Sequence, residues 1–177
     1  MKNGKIFLVI FQILLLFLII GLPVFATSDY VLPYPSYMPG SFMYKVRLVS
    51  EKIMKYWYFG SFSQFTYNLK QSDKYLVEAK TLFEYKQYLL GLNALQKSDK
   101  YFLVTFQYLK NAKAENKDIS EKYSLLKAAA KKHIEILTNL EQIVPREFLW
   151  RPEKSPPTNL YLKSDIEKSI KIRMTNL

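Results

Sequence analysis

The sequence contains no cysteine, and this excludes three arrangements at once. The protein has no disulfide framework, no thiolate metal site, and no lipid anchor of the kind that is attached to a cysteine after export. An exported protein without disulfides is most at home in a bacterial or archaeal envelope. The roughly 150 residues that follow residue 26 are enough to bury a core without such crosslinks.

Glycine and histidine are scarce as well, with five glycines and a single histidine, His133. A glycine-rich phosphate loop is therefore hard to build, and none of the usual dinucleotide, P-loop, serine-hydrolase or zinc-protease motifs is present. Nothing in the sequence supplies His133 with a partner for a metal site or a catalytic triad. We interpret it as a surface or groove histidine, and we expect no catalytic residue, no metal ligand and no cofactor.

The acidic residues are scattered along polar helix faces, mostly beside lysines. This pattern is typical of solvated surfaces and of pairs four residues apart, and it does not indicate two convergent carboxylates. The residues concerned are Glu51, Asp73, Glu78, Glu84, Asp99, Glu115, Asp118, Glu121, Glu135, Glu141 and Glu147. We therefore predict a protein that is not an enzyme, with an envelope hydrolase as the least favoured alternative.

The first 26 residues have the pattern of a targeting segment. Lys2 and Lys5 precede an uncharged stretch that runs from residue 6 to Ala26, where a signal peptidase could cut. That stretch also approaches the length of about 20 residues needed to span a bilayer, so an uncleaved signal anchor is the alternative. Either outcome places the rest of the chain outside the cytoplasmic membrane.

The remaining chain is basic. Residues 27–177 carry 24 Lys and Arg against 15 Asp and Glu, a net charge of +9. This charge indicates an acidic partner, such as anionic lipid headgroups, a wall polymer or nucleic acid, or it merely reflects an A/T-rich genome. Because export argues against nucleic acid, we expect a protein or an anionic envelope component as partner, and the membrane itself if residues 6–26 are retained.

The apolar spacing predicts an all-α fold. A Pro/Tyr-rich linker, 27–40, precedes a domain of about four antiparallel helices over 41–144. Ser41 is the expected N-cap of the first helix, which runs to about residue 59. The side chains expected to face inward from that helix, at spacings of four and three, are Phe42, Val46, Val49, Ile53 and Tyr56. Residues 84–87 are expected to form a tight turn.

The last part of the chain, 145–177, is predicted as a proline-rich arm and a short C-terminal helix. The arm either wraps the bundle or is disordered, and its Phe148-Leu149-Trp150 cluster favours wrapping, because such a cluster is unusual on a surface without a partner.

Five residues are candidates for an interaction surface. Trp57 and Tyr58 belong to an aromatic run, 56–62, that either fills a helix corner or forms a platform for sugar rings, headgroups or a partner helix. Trp150 lies in the arm. Lys127 and Lys131 belong to a lysine-rich side of the fourth helix, which either binds an anion or is simply solvated.

Several segments in order resemble a bacterial extracytoplasmic helical family that is catalogued only as a domain of unknown function. They are Leu-Pro-Tyr-Pro at 32–35, Met-Pro-Gly-Ser-Phe-Met-Tyr at 38–44, the helical stretch 67–79 and the turn 83–88 that leads into Leu-Asn-Ala-Leu. The resemblance covers roughly residues 32–109, with a looser echo in the arm. It implies an antiparallel domain with a tetratricopeptide-like hairpin, and it brings no catalytic residues. The sequence thus favours an exported, non-enzymatic interaction or scaffold module at the outer face of the cytoplasmic membrane, with a binder of anionic polymer or lipid as the alternative.

Overall fold

The computed structural model describes residues 30–175, so the predicted signal or anchor segment lies outside the described residues. The elements are α1 (Phe42–Met54), α2 (Ser61–Glu84), α3 (Tyr88–Ala114), α4 (Ser120–Ile143), β1 (Phe148–Trp150), β2 (Thr158–Leu160) and α5 (Leu162–Thr175). The predicted helical bundle is confirmed. None of the helices in this part of the chain is long and apolar enough to cross a membrane.

α2 and α3 form the central hairpin, and its turn lies where the sequence predicted it. Lys86 adopts a left-handed conformation with φ of 58°. The amide of Gln87 donates to the carbonyl of Leu82 at 2.8 Å, and that of Lys86 donates to Phe83 at 2.9 Å. This pair of bonds satisfies carbonyls at the end of α2 that no further helical turn could reach.

Gly91 allows the two hairpin helices to approach closely. A Cβ atom at this position would lie 3.0 Å from Cδ1 of Phe83, closer than ordinary packing permits. The lack of a side chain at the start of α3 therefore permits the close contact with α2.

The core consists of two clusters along the bundle. The first cluster contains side chains from the C-terminal halves of α2 and α4 and from the start of α5. Leu76, Leu137 and Ile166 are fully buried in it. The second is built around Phe102 and Leu126. The C-terminal helix thus packs into the same core as the helices before it.

The arm packs on the bundle as a small antiparallel β-hairpin, in which Phe148 pairs with Leu160 and Trp150 with Thr158. Trp150 packs against the first cluster, and the ring of Phe148 lies 4.8 Å from that of Tyr88. Wrapping, which the apolar cluster favoured, is what the structure describes.

The predicted orientation of α1 is wrong. The cap is as expected, since Ser41 Oγ accepts from the amide of Tyr44 at 3.1 Å. The apolar stripe, however, points away from the bundle, and the residues of α1 that are buried are Arg47 and Glu51. A helix turns its apolar side inward only when an apolar surface faces it, and α2 offers α1 tyrosines and acids instead.

Candidate functional site

α1 is held to α2 by a set of buried polar contacts. Nη2 of Arg47 donates to Oε2 of Glu78 at 2.5 Å, and Nε of Arg47 lies 3.4 Å from Glu51 Oε1. Glu51 also accepts from Lys74 Nζ at 2.6 Å and from the hydroxyl of Tyr75 at 2.8 Å. The prediction that Glu51 and Glu78 are solvated surface acids is therefore wrong, because both are less than a tenth exposed.

A groove of about 500 Å³ opens between α1, α2 and α3; we call it the lysine–tyrosine groove. Lys52 lines it from α1 and Lys55 from the turn after α1, and Lys97 and Lys100 line it from α3. Within residues 30–175, none of these four lysines forms an ion pair with an acid. Glu51 is the one carboxylate among the described residues that line the groove, and Arg47 and Lys74 already neutralise it.

Tyrosines form the aromatic wall of this groove. The rings of Tyr75 and Tyr101 stack in parallel with centroids 5.7 Å apart, and Tyr67 meets Tyr101 edge to face at 6.4 Å. Tyr108 adds a half-buried ring. A volume of this size is in the range of small-molecule binding sites, and four tyrosines line it beside charged and polar side chains.

The groove tyrosines are uncharged hydrogen-bonding groups. Burial, together with the bond to Glu51, raises the pKa of Tyr75 well above its usual range. Burial and the neighbouring Tyr101 do the same for Tyr67, whose hydroxyl donates to the backbone carbonyl of Glu51 at 2.9 Å. Beside α1, burial and Glu78 raise the pKa of Tyr44 to about 12. Among the described residues that line the groove, the four lysines therefore carry the charges that no ion pair compensates at neutral pH.

His133 lies in the centre of the bundle, so the prediction of a surface or groove histidine is wrong. It is fully buried, and its Nε2 lies 2.7 Å from Oδ1 of Asp73. Because a carboxylate can only accept, we assign the ring proton to Nε2. Nδ1 has no hydrogen-bond partner within the described part of the chain. Burial outweighs the neighbouring acid and lowers the pKa of His133, which favours the neutral ring.

Asp73, which was predicted as a surface acid, is buried as the partner of His133. Its second oxygen accepts from the hydroxyl of Tyr30 at 2.6 Å, which ties the start of the described chain to α2. Burial and Asp73 raise the pKa of Tyr30, so the hydroxyl stays a donor. Of the linker tyrosines, Tyr30 thus packs on the domain, whereas Tyr34 is almost fully exposed.

A buried ion pair joins α5 to α3. Arg173, at the end of α5, is fully buried and pairs with Asp99 of α3. Asp99 also accepts from Ser169 Oγ at 2.7 Å, and Arg173 donates to Ser98 Oγ at 2.9 Å. The guanidinium lies 5.2 Å from the centre of the Phe102 ring. The centre of the His133 ring lies 5.4 Å from that of Phe102. Both networks join side chains of different helices, so they fix the packing of the helices.

The five predicted surface residues do not form one patch. Trp57 is three-quarters exposed in the turn after α1, and the ring of Tyr58 lies 5.0 Å from Tyr67 at the edge of the groove. Trp150 lies on the β-hairpin against the first core cluster. Lys127 and Lys131 are exposed on α4, where Lys127 stands 4.7 Å above the ring of Tyr123.

The sequence interpretation missed the groove lysines on α3 and the tyrosines beside them. A signal was present, because Lys97, Lys100, Tyr101, Val104 and Tyr108 recur at helical spacing on one side of α3. It was hidden by the stronger apolar pattern of the opposite side. Among residues 30–175 no cluster of three or more histidine or acidic side chains could hold a metal ion.

Neither a protein-family model, nor a curated protein, nor a solved structure matches this chain. The resemblance to an extracytoplasmic helical family therefore remains a prediction.

Proposed function

We propose that this protein is an exported, non-enzymatic helical module, held at the outer face of the cytoplasmic membrane, that binds an anionic envelope polymer in the lysine–tyrosine groove. Of the two partner classes that the sequence left open, a protein or an anionic envelope component, the groove favours the second. The observation that carries the proposal is the set of four lysines without acidic partners around a tyrosine-walled cavity of about 500 Å³.

The chemistry of the groove supports binding of a sugar polymer that bears carboxylates or phosphates. Lysine is a compact, mobile cation that pairs with an anionic group as a point charge. The half-buried rings of Tyr101 and Tyr108 offer flat apolar surfaces to sugar rings. Glycoside hydrolysis would require two carboxylates about 5–10 Å apart, whereas Glu51 is the only one that lines the described groove.

The test is binding of the chain to soluble anionic glycan fragments, measured by calorimetry at increasing salt. We expect affinity to fall steeply as salt rises, because exposed charges are screened beyond about 8–10 Å at 0.1–0.15 M. Lys97→Gln with Lys100→Gln should weaken binding by about tenfold or more. Lys127→Gln with Lys131→Gln removes the same charge from α4 and should leave binding unchanged.

Two results would contradict the proposal. One is binding that does not depend on salt, or no binding to any anionic glycan. The other is equal loss of binding in the two double variants, which would assign the affinity to net charge instead of the groove.

A further inference from the structure

The apolar stripe of α1 and the turn after it form one exposed surface, which we call the outer face. Its side chains are between 45% and 82% exposed. They are Phe42, Val46, Val49, Ile53, Tyr56, Trp57 and Phe59. Contiguous exposed apolar residues of this extent on a soluble domain mark an interaction site.

The outer face cannot turn inward. The opposite side of α1 carries Arg47 and Glu51, which are bound to the tyrosines and acids of α2. Rotating α1 would turn its apolar side chains toward the tyrosines and acids of α2. It would also leave Glu78 as a buried charge without its partner Arg47, which costs several kcal/mol. The contacts within the domain therefore fix the apolar stripe on the outside.

The surroundings of the outer face fit an anionic bilayer surface. Lys45, Lys52 and Lys55 are exposed along α1 and the following turn, and none forms an ion pair within residues 30–175. An amphipathic helix with an apolar face and flanking lysines is the form that lies in the headgroup region. Trp57 and Tyr56 are of the residue types enriched at that depth. A second copy of the chain would instead bring the lysines of two molecules together.

The position of the domain in the chain also favours the bilayer. Tyr30 is bound to Asp73 in the bundle, and the uncharged segment ends at Ala26, only four residues earlier. Four extended residues span at most about 14 Å. If residues 6–26 stay in the membrane, the folded domain therefore lies against it, and the tether is far shorter than the linker 27–40 that the sequence indicated.

We propose that the outer face docks on the bilayer as an interfacial helix, with the apolar stripe at the boundary between headgroups and acyl chains and the flanking lysines at anionic phosphates. The inference rests on the proposed location at a membrane. Its apolar stripe does not line the polymer groove, so the stripe can be tested separately, although Lys52 and Lys55 border both surfaces.

The experiment uses the full chain in anionic vesicles that contain lipids brominated at known depths. The two tryptophans give matched reporters: Trp150→Phe leaves Trp57 on the outer face, and Trp57→Phe leaves Trp150 on the β-hairpin. We expect shallow bromines to quench Trp57 strongly and Trp150 little. Equal quenching of the two would overturn the proposal, whether or not the groove binds polymer.

A charge-matched pair of variants tests the stripe itself. Val49→Glu with Ile53→Glu should weaken docking on the order of a hundredfold, because two aliphatic side chains no longer leave water. Both side chains are more than half exposed, so the thermal midpoint should stay unchanged. Lys127→Gln with Lys131→Gln lowers the net charge equally and should keep the quenching. A Trp57 emission that shifts with protein concentration without lipid would assign the face to a second copy and refute bilayer docking.

Discussion

α1 and the bundle of α2 to α5 both bury polar pairs, yet they use them in opposite ways. Inside the bundle, the ion pair Arg173–Asp99 and the hydrogen bond from neutral His133 to Asp73 are surrounded by two apolar clusters. The pair Arg47–Glu78, by contrast, forms the contact between α1 and α2, and the apolar side chains of α1 lie on the outside.

A buried charged residue therefore does not show that the apolar core lies around it. A polar network enclosed by apolar side chains cannot reach water without unfolding the domain, so breaking it carries the full cost of a stranded charge. A polar network at the base of one helix can be hydrated when that helix detaches. Its cost is therefore limited to the free energy of local opening.

The largest expected effect comes from the pair inside the bundle. Arg173→Met should lower the free energy of unfolding by about 3–5 kcal/mol, because Asp99 loses its buried cation. Lys168→Met on the same helix removes an exposed partner of Asp165 and should change it by less than about 1 kcal/mol. Urea unfolding of both variants measures the difference, and similar values would contradict the distinction.

His133 should make the bundle sensitive to acid. Its pKa is lowered in the folded protein, so the neutral ring stabilises the fold above the unfolded pKa of about 6.5. Below that value the unfolded chain binds a proton that the folded protein refuses, and stability falls by at most about 1.4 kcal/mol per pH unit. Thermal unfolding between pH 7 and pH 5 measures this loss.

His133→Gln is the matched control for that pH dependence. Its amide can donate to Asp73 but does not titrate, so the slope between pH 7 and pH 5 should be shallower than in the original protein. An unchanged slope would show that groups other than His133 carry the acid sensitivity.

The smallest effect is expected in α1. Arg47→Met should accelerate amide hydrogen exchange across Phe42–Met54 and leave global stability within about 1–2 kcal/mol, because Glu78 becomes hydrated once α1 opens. Exchange in α3 serves as the internal reference and should not change. A global loss as large as that of Arg173→Met would mean that α1 is an integral part of the bundle.

Much of the architecture could be predicted from the sequence. The α2–α3 hairpin and its turn at 84–87 were predicted and are confirmed in the structure. Apolar spacing failed for α1, because periodicity shows that one side of a helix is apolar and not what that side faces. It also failed for His133 and Asp73, since pairing across 60 residues leaves no local pattern.

The candidate site could be predicted only in part. Trp57 and Tyr58 were identified from their aromatic run, and they lie at the outer face and at the edge of the groove. Lys97 and Lys100 were not identified, because a lysine on a helix is ordinarily solvated. Their significance comes from facing Lys52 and Lys55 across a cavity that only the packing of three helices creates.

Local spacing and capping are enough to place the helices and the hairpin turn, although the first helix ends at Met54 and not near the predicted residue 59. The sequence by itself also determined the net charge and the absence of cysteine chemistry. Only the tertiary structure decided which polar groups are buried and which apolar stripe is left outside. The reason is that burial depends on the surface a neighbouring helix presents: α2 presents Glu78 and Tyr75 to α1, and this matches the polar side of α1 instead of its apolar one.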